Sequence, residues 1–325
     1  MMKKKIVLLL LAAIVLPVSA FAGVLVYEPF AYSSPTLTGQ GGAWGTTGTW
    51  TSGAVNDATG WQVHLEGTAS GAMHSDGVTP VTYDGNVTGL WTMGGYAGHG
   101  SDGYKLNADI ALAQNVTDSF KSGTTTWISH VSVSSFNKNY EMPNVMLATE
   151  PFPTGSRGEN NPGSGIGTGG GPNRYNRPNI YPMFYNEGQY TNMMGEIPGN
   201  SYTNDAYRVP DTDVFSTTTD VANIVVMKIE WDAGANGEDI ISLASFLEGE
   251  ELSEAAFNAI NLSSASWAIQ PDIDQSTLDT ITIAGIKFFV DEIRIGTAFG
   301  DVAPCPEPMT LALLGLGGLL IRRRK

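Results

Sequence analysis

Short apolar runs broken by Gly, Asn, Asp, Pro and Ser recur along the chain, and long stretches of helical periodicity are missing. The runs that predict strands are Val24–Phe30, Gln62–Leu65, Trp127–Val133, Val145–Leu147, Ile180–Phe184, Asn223–Trp231, Asp239–Leu243, Thr280–Ile283 and Ile286–Ile295. In "TTWISHVSVSSF", Trp127, Ser129, Val131 and Val133 alternate with Ile128, His130, Ser132 and Ser134, a period of two that predicts a half-buried strand. In "IVVMKIEW", Val225, Met227 and Ile229 share one face, and Val226 shares the other with Lys228 and Glu230. One helix is predicted, Ser253–Ile260, with the Ser253 hydroxyl placed to cap it. Many short strands with turn-rich connections imply an all-β fold, a two-sheet antiparallel β-sandwich or jelly roll rather than βαβ units. The segment 150–210, rich in Gly, Pro, Asn and Tyr, reads as a long surface insertion.

Composition supports this picture. The 325 residues include 39 glycines and only 15% charged residues, which disfavours helical bundles. Cys305 is the single cysteine, so no intrachain disulfide can form and the core alone must hold the fold. Charge is uneven. Seven of the 17 bases lie at the ends, which leaves 10 bases against 31 acids between Gly23 and Pro304, a formal charge of −21. A body that acidic repels nucleic acid and anionic lipid and stays soluble.

Both ends read as addresses. At the start, Lys3, Lys4 and Lys5 precede the apolar run Ile6–Leu16, and Ala20-Phe21-Ala22 offers small residues where a signal peptidase needs them. Residues 1–22 are therefore expected to be a signal peptide cut before Gly23. An uncleaved anchor is the other reading, and the short apolar run argues against it. At the other end, Met309–Ile321 spans about 20 Å as a helix, short of a ~30 Å hydrocarbon core. The basic residues Arg322, Arg323, Arg324 and Lys325 would hold its end on the cytoplasmic side. A marginal span of this kind suits a temporary anchor.

Pro306, Glu307 and Pro308, followed by the apolar run and the basic tail, resemble a PEP-CTERM sorting signal. The resemblance covers residues 305–325. It implies a Gram-negative bacterial origin, a transient stay in the inner membrane and recognition by an exosortase that cuts near the triplet. The body is then delivered to the cell surface or extracellular matrix. Cys305 beside the motif also raises lipidation, but bacterial lipoprotein cysteines follow an N-terminal signal.

The body, residues 23–304, carries a second resemblance. The opening "VYEPFAYSSPTLTGQGGAWGTTGTW", the strand–acidic turn–strand "IVVMKIEWDAGANGEDIISLASF" and the close "FFVDEIRIGTAFGDVAP" are similar to blocks of bacterial LamG-like, concanavalin A-like jelly rolls. That family implies a two-sheet β-sandwich, often without established activity.

Several chemistries can be weighed residue by residue. Gly165, Gly167 and Gly170 match a dinucleotide fingerprint by spacing, but "GPNRYNRP" follows where a helix must begin, so a flexible loop is expected. Retaining glycosidases need two carboxylates about 5 Å apart. Asp291 and Glu292 are adjacent and on a regular strand would point to opposite faces. Asp272 with Asp274, and Asp211 with Asp213, alternate but lie in turns, and no Glu-x-Asp-x-Glu pattern occurs. Glu292 and Arg294 share a face and suit a structural ion pair. His64, His74, His99 and His130 show no metal-ligand spacing. Asp232, Asn236, Glu238 and Asp239 crowd one turn, an oxygen-rich setting for a structural Ca²⁺; no other cofactor is implied.

Aromatic residues are the best pointer to binding. Trp44, Trp50 and Trp61 lie near the start, and Tyr181 and Tyr185 stand among the tyrosines of the 150–210 segment. Aromatic faces stack on sugar rings, and the competing role for the same residues is core filling and loop packing. Trp44, Trp50, Tyr181 and Tyr185 are the candidate glycan contacts. The reading that fits best is an exported surface or matrix protein with a structural or adhesive role and no enzyme activity. Its partners would be signal peptidase, exosortase and extracellular polysaccharide, with no nucleic acid. The alternatives are a lectin-like carbohydrate-binding module and a divergent glycoside hydrolase.

Overall fold

A computed structural model describes residues 23–32, 36–42, 44–52, 62–65, 69–73, 80–82, 86–87, 90–91, 95–99, 107–134, 144–149, 165–172, 178–186, 189–192, 215–216, 222–247, 250–264, 272–284 and 288–303. Among these residues the strands are β1 (Val24–Glu28), β2 (Thr46–Ser52), β3 (Gln62–Leu65), β4 (Ala69–Met73), β5 (Pro80–Thr82), β6 (Asn86–Val87), β7 (Leu90–Trp91), β8 (Gly95–His99), β9 (Asn107–Leu112) and β10 (Thr125–Ser134). They continue with β11 (Asn144–Ala148), β12 (Gly165–Pro172), β13 (Pro178–Asn186), β14 (Gln189–Asn192), β15 (Phe215–Ser216), β16 (Ala222–Glu230), β17 (Ile240–Leu247), β18 (Leu262–Ser263), β19 (Thr280–Ala284) and β20 (Phe288–Gly296). Three short helices are α1 (Gln114–Thr117), α2 (Glu254–Ile260) and α3 (Phe299–Val302).

The strands form an all-β jelly-roll sandwich of two antiparallel sheets. One runs β18-β17-β16-β10-β20-β8-β3, with β1 sharing an edge of β20. The other runs β14-β13-β12-β11-β19-β9-β2, with β15 on β13. The pairs β4-β5 and β6-β7 form two further two-stranded sheets. Non-consecutive neighbours such as β10 beside β20 tie distant parts of the chain together. The fold therefore rests on long-range contacts rather than local ones.

Alternation explains the core. Ile128, Val225, Met227, Ile229, Ile241 and Leu243 of the first sheet meet Ile110, Val145, Leu147, Ile166, Ile281 and Ile283 of the second. The opposite face of the first sheet is buried as well. Ile224, Val226, Ala244 and Phe246 lie under α2 and α3, where Phe257 and Phe299 pack edge-on against Trp127 at ring separations of 4.9 and 5.4 Å. Ser253 caps α2 as expected, its side-chain oxygen accepting from the Ala256 amide at 3.1 Å. This second layer corrects the expectation of a half-buried strand: Thr126–Ser132 of β10 is buried on both faces.

Two further expectations change. Gly165, Gly167 and Gly170, expected in a flexible loop, lie in β12, paired to β11 on one side and β13 on the other. Glycine has low strand propensity, but close backbone approach selects it here: a Cβ on Gly167 would fall 2.2 Å from the Val145 carbonyl oxygen. Part of the 150–210 segment thus builds the second sheet. In β20, Val290 and Ile293 both face the inter-sheet core although three residues apart. The register against β10 shifts there, and Glu292 takes a positive φ of 54°. This β-bulge breaks the alternation on which opposite faces for Asp291 and Glu292 were expected.

One inter-sheet polar contact makes stability depend on pH. His130 Nε2 lies 3.0 Å from Thr168 Oγ1 across the sandwich. Burial lowers the imidazole from 6.5 to about 4. The unfolded chain then binds the extra proton between those values. His130 thus contributes stability above pH 6.5 that is lost as pH falls to 4, on the order of 3 kcal/mol in full. Asp239 opposes it, since burial raises its carboxyl from 3.8 to about 6, so its neutral form favours the fold at low pH. Urea denaturation at pH 4, 5 and 6.5 should show the acid loss vanish or invert in His130→Gln and steepen in Asp239→Asn. Unchanged pH profiles in both variants would contradict these assignments.

Candidate functional site

Cross-strand register lines up one row over the outer face of the first sheet. Trp44 bridges Tyr27, Tyr27 pairs Arg294, Arg294 pairs Ser129, Ser129 pairs Val226 and Val226 pairs Ala244. Residues directly opposite on antiparallel strands present side chains to the same face. At the Ala244 end the row is apolar and covered by helices. At the Trp44 end it becomes aromatic and charged, and Trp44 is 67% exposed.

The charged end is tightly organised. Arg294 Nη2 forms an ion pair with Glu292 Oε2, and both side chains are buried. The Tyr27 hydroxyl donates to Glu292 Oε1 at 3.2 Å, while the Arg294 guanidinium lies over the Tyr27 ring, 4.9 Å from its centroid. Burial, then the Glu292 charge, raises the Tyr27 phenol above its ordinary range, so it stays a hydrogen-bond donor. The expected structural role of the Glu292–Arg294 pair is what this geometry provides. It fixes Tyr27, which stands next to the exposed Trp44 in the row, and the two residues form an aromatic shelf with polar groups behind it.

Trp50 does different work. It is 1% exposed and packs in the core against Phe30 at 5.9 Å, which corrects its expectation as a glycan contact: no face of the indole meets solvent. Its Nε1–H donates to Glu28 Oε2 at 3.2 Å. The Tyr32 hydroxyl donates to the same oxygen at 2.5 Å, and the Phe30 amide to Oε1 at 2.7 Å. Glu28 is thus a buried carboxylate at the end of β1 that counts these three donors among its partners. Tyr27 and this Glu28 cluster were missed in the sequence. The available signal for Tyr27 was its alternation with Val26 and Glu28 in "VLVYE".

The acidic turn after β16 is held by internal bonds. Asp239 Oδ1 accepts from the Asp232 amide at 3.0 Å and Oδ2 from the Ile273 amide at 2.9 Å. Asp232 Oδ2 accepts from Gln275 Nε2 at 3.0 Å, and Asn236 donates to Glu238. Among the described residues no three His, Cys, Asp or Glu side chains group to hold a metal ion. Asp274 accepts from the Ser276 amide in a short 3₁₀ turn. Tyr181 and Tyr185 take register positions opposite Gly169 and Gly165. The sorting residues Ala20, Ala22, Pro306, Glu307, Pro308, Arg322, Arg323, Arg324 and Lys325, together with Trp61, Asp211 and Asp213, lie outside the described residues. Among the described residues no helix is long and apolar enough to cross a membrane.

Comparison with protein-family models and with curated proteins gives no match. Among solved structures, the chain is similar to an alginate lyase Aly36B mutant in complex with alginate tetrasaccharide, at 13% identity and TM-score 0.36 over 73% of this chain and 97% of that one. It is similar to an endo-β-1,4-glucuronan lyase from the fungus Trichoderma reesei, at 13% identity and TM-score 0.33 over 78% and 97%. It is also similar to the alginate lyase vAL-1 from Chlorella virus, at 9% identity and TM-score 0.30 over 76% and 89%. These neighbours are enzymes, and on that finding the expectation of a body without enzyme activity is withdrawn. Likeness at this level concerns the β-sandwich fold.

Proposed function

We propose that this is an exported surface protein whose sandwich body engages an extracellular polysaccharide through the shelf formed by Trp44 and Tyr27. The observation that carries the reading is the exposed indole of Trp44, whose backbone bridges that of Tyr27, a residue whose phenol a buried ion pair holds. An indole has two side-chain torsions and loses little conformational entropy on stacking against a sugar ring. The formal charge of −21 between Gly23 and Pro304 favours uncharged glycans over polyanionic ones. Delivery to the surface or matrix by signal peptidase and an exosortase is supported by the two terminal signals. An adhesive role in the extracellular polysaccharide follows from such placement.

The test is glycan binding by the processed chain. Saturable binding to a neutral polysaccharide is expected, weakened about tenfold or more by Trp44→Ala, which corresponds to about 1.4 kcal/mol. Analysis of the bound glycan for shortened chains in the same samples reads out turnover. A surface-fractionated chain whose mass retains residues 1–22 or the tail beyond Pro308 would contradict the delivery reading.

A further inference from the structure

The first residue of the body meets its last helix. β1 pairs with β20 from Val24, opposite Gly296, so Gly23 stands one residue from a fixed strand. It lies against the Asp301 carboxylate of α3: a Cβ built on Gly23 would fall 2.3 Å from Oδ2 and 2.4 Å from Oδ1. Gly296 is equally confined, its Cβ position lying 2.3 Å from the Asp301 Cβ. The carboxylate itself is held in place. Oδ2 accepts from the Thr297 amide at 3.0 Å, the Ala298 amide at 2.9 Å and the Thr297 hydroxyl at 3.3 Å. Among the described residues, every hydrogen bond that Asp301 accepts goes to Oδ2. Both carboxylate oxygens lie against Gly23, and Oδ1 is the one that accepts no hydrogen bond from the described residues.

We propose that Asp301 is the receptor for the α-ammonium group created when the chain is cut before Gly23. The inference rests on the cleavage reading given above. Hydrolysis of the Ala22–Gly23 bond adds water, leaves the new carboxylate on Ala22 and turns the neutral Gly23 amide into an amine. That amine is protonated at pH 6.5, below its ordinary value of about 7.7–8.0. The cation forms beside a carboxylate whose position is already fixed, so pairing costs little ordering. The two glycines explain themselves in this arrangement, since a side chain at either position would displace Asp301. The pair ties β1 to the element from which the C-terminal tail departs. Removal of the signal peptide thus tightens the base of the tail.

The experiment uses the chain from Gly23 to Lys325 in detergent at pH 6.5, with Gly23 exposed by a site-specific protease, against the same chain retaining Phe21-Ala22. Each is made with Asp301 and with Asp301→Asn, which keeps an oxygen to accept from Ala298. The substitution should lower the thermal midpoint by about 2–4 °C more in the chain that begins at Gly23. Equal lowering in both chains would overturn the proposal. N-terminal sequencing of the exported chain separates the two readings: a first residue other than Gly23 overturns the cleavage site, whatever the melting comparison gives.

Discussion

Arg294→Met should lower the unfolding free energy by about 3–5 kcal/mol, because it strands the Glu292 carboxylate in a buried site with its counter-charge gone. Glu292 is fully buried, and the Tyr27 hydroxyl at 3.2 Å is a neutral donor that cannot replace a cation. Glu292→Gln should cost a comparable amount by leaving the guanidinium without its charge partner. The double variant should recover most of the loss, since two neutral side chains carry no desolvation penalty of that size. Glu292→Gly separates backbone from charge. It relieves about 1–2 kcal/mol at a left-handed position but forfeits the larger ion-pair term, so a net loss is expected. Urea denaturation of the four variants decides the matter. A loss below 1 kcal/mol for Arg294→Met would mean that the pair is solvated and the shelf is not rigidly supported.

Trp50→Ala should cost about 3–5 kcal/mol through the cavity it leaves, with a further 1–3 kcal/mol because Glu28 loses a buried donor. Trp50→Phe keeps most of the volume and should show mainly the second effect. Trp44→Ala, by contrast, should stay within about 0.5 kcal/mol of the parent, since its side chain is solvent-exposed. The two tryptophans are thus expected to exchange roles between assays: Trp50 governs stability and Trp44 governs glycan binding. Trp50→Phe that folds normally yet loses glycan binding would contradict its place in the core.

The strands were legible where two faces differ in polarity. The run Trp127–Val133 lies within β10, Asn223–Trp231 overlaps β16, and Ser253–Ile260 gives α2 with its cap. Legibility failed where tertiary contacts override the local pattern. The glycines of β12 look like a loop because glycine carries no burial signal, and among the strand's described side chains the core-facing ones are Ile166 and Thr168. The bulge at Glu292 leaves no mark in sequence, since alternation is the only guide and the bulge is a break in it. Trp44 and Trp50 are tryptophans six residues apart in the same Gly- and Thr-rich stretch. Trp50 lies in β2 and enters the core, while Trp44 precedes β2 and bridges Tyr27, and no local pattern encodes that difference. The Glu292–Arg294 pair could be read from spacing, but Tyr27, its third member, arrives from 265 residues away.

The measurement that bears most directly on the account is calorimetric titration of the processed chain with neutral and polyanionic polysaccharides, run in parallel with Trp44→Ala and with thermal midpoints recorded for both proteins. The account predicts saturable binding to a neutral glycan, weaker binding to polyanions, and an affinity loss of about tenfold or more in Trp44→Ala at an unchanged midpoint. Equal affinity in the two proteins, or the absence of saturable binding to every glycan, would contradict it.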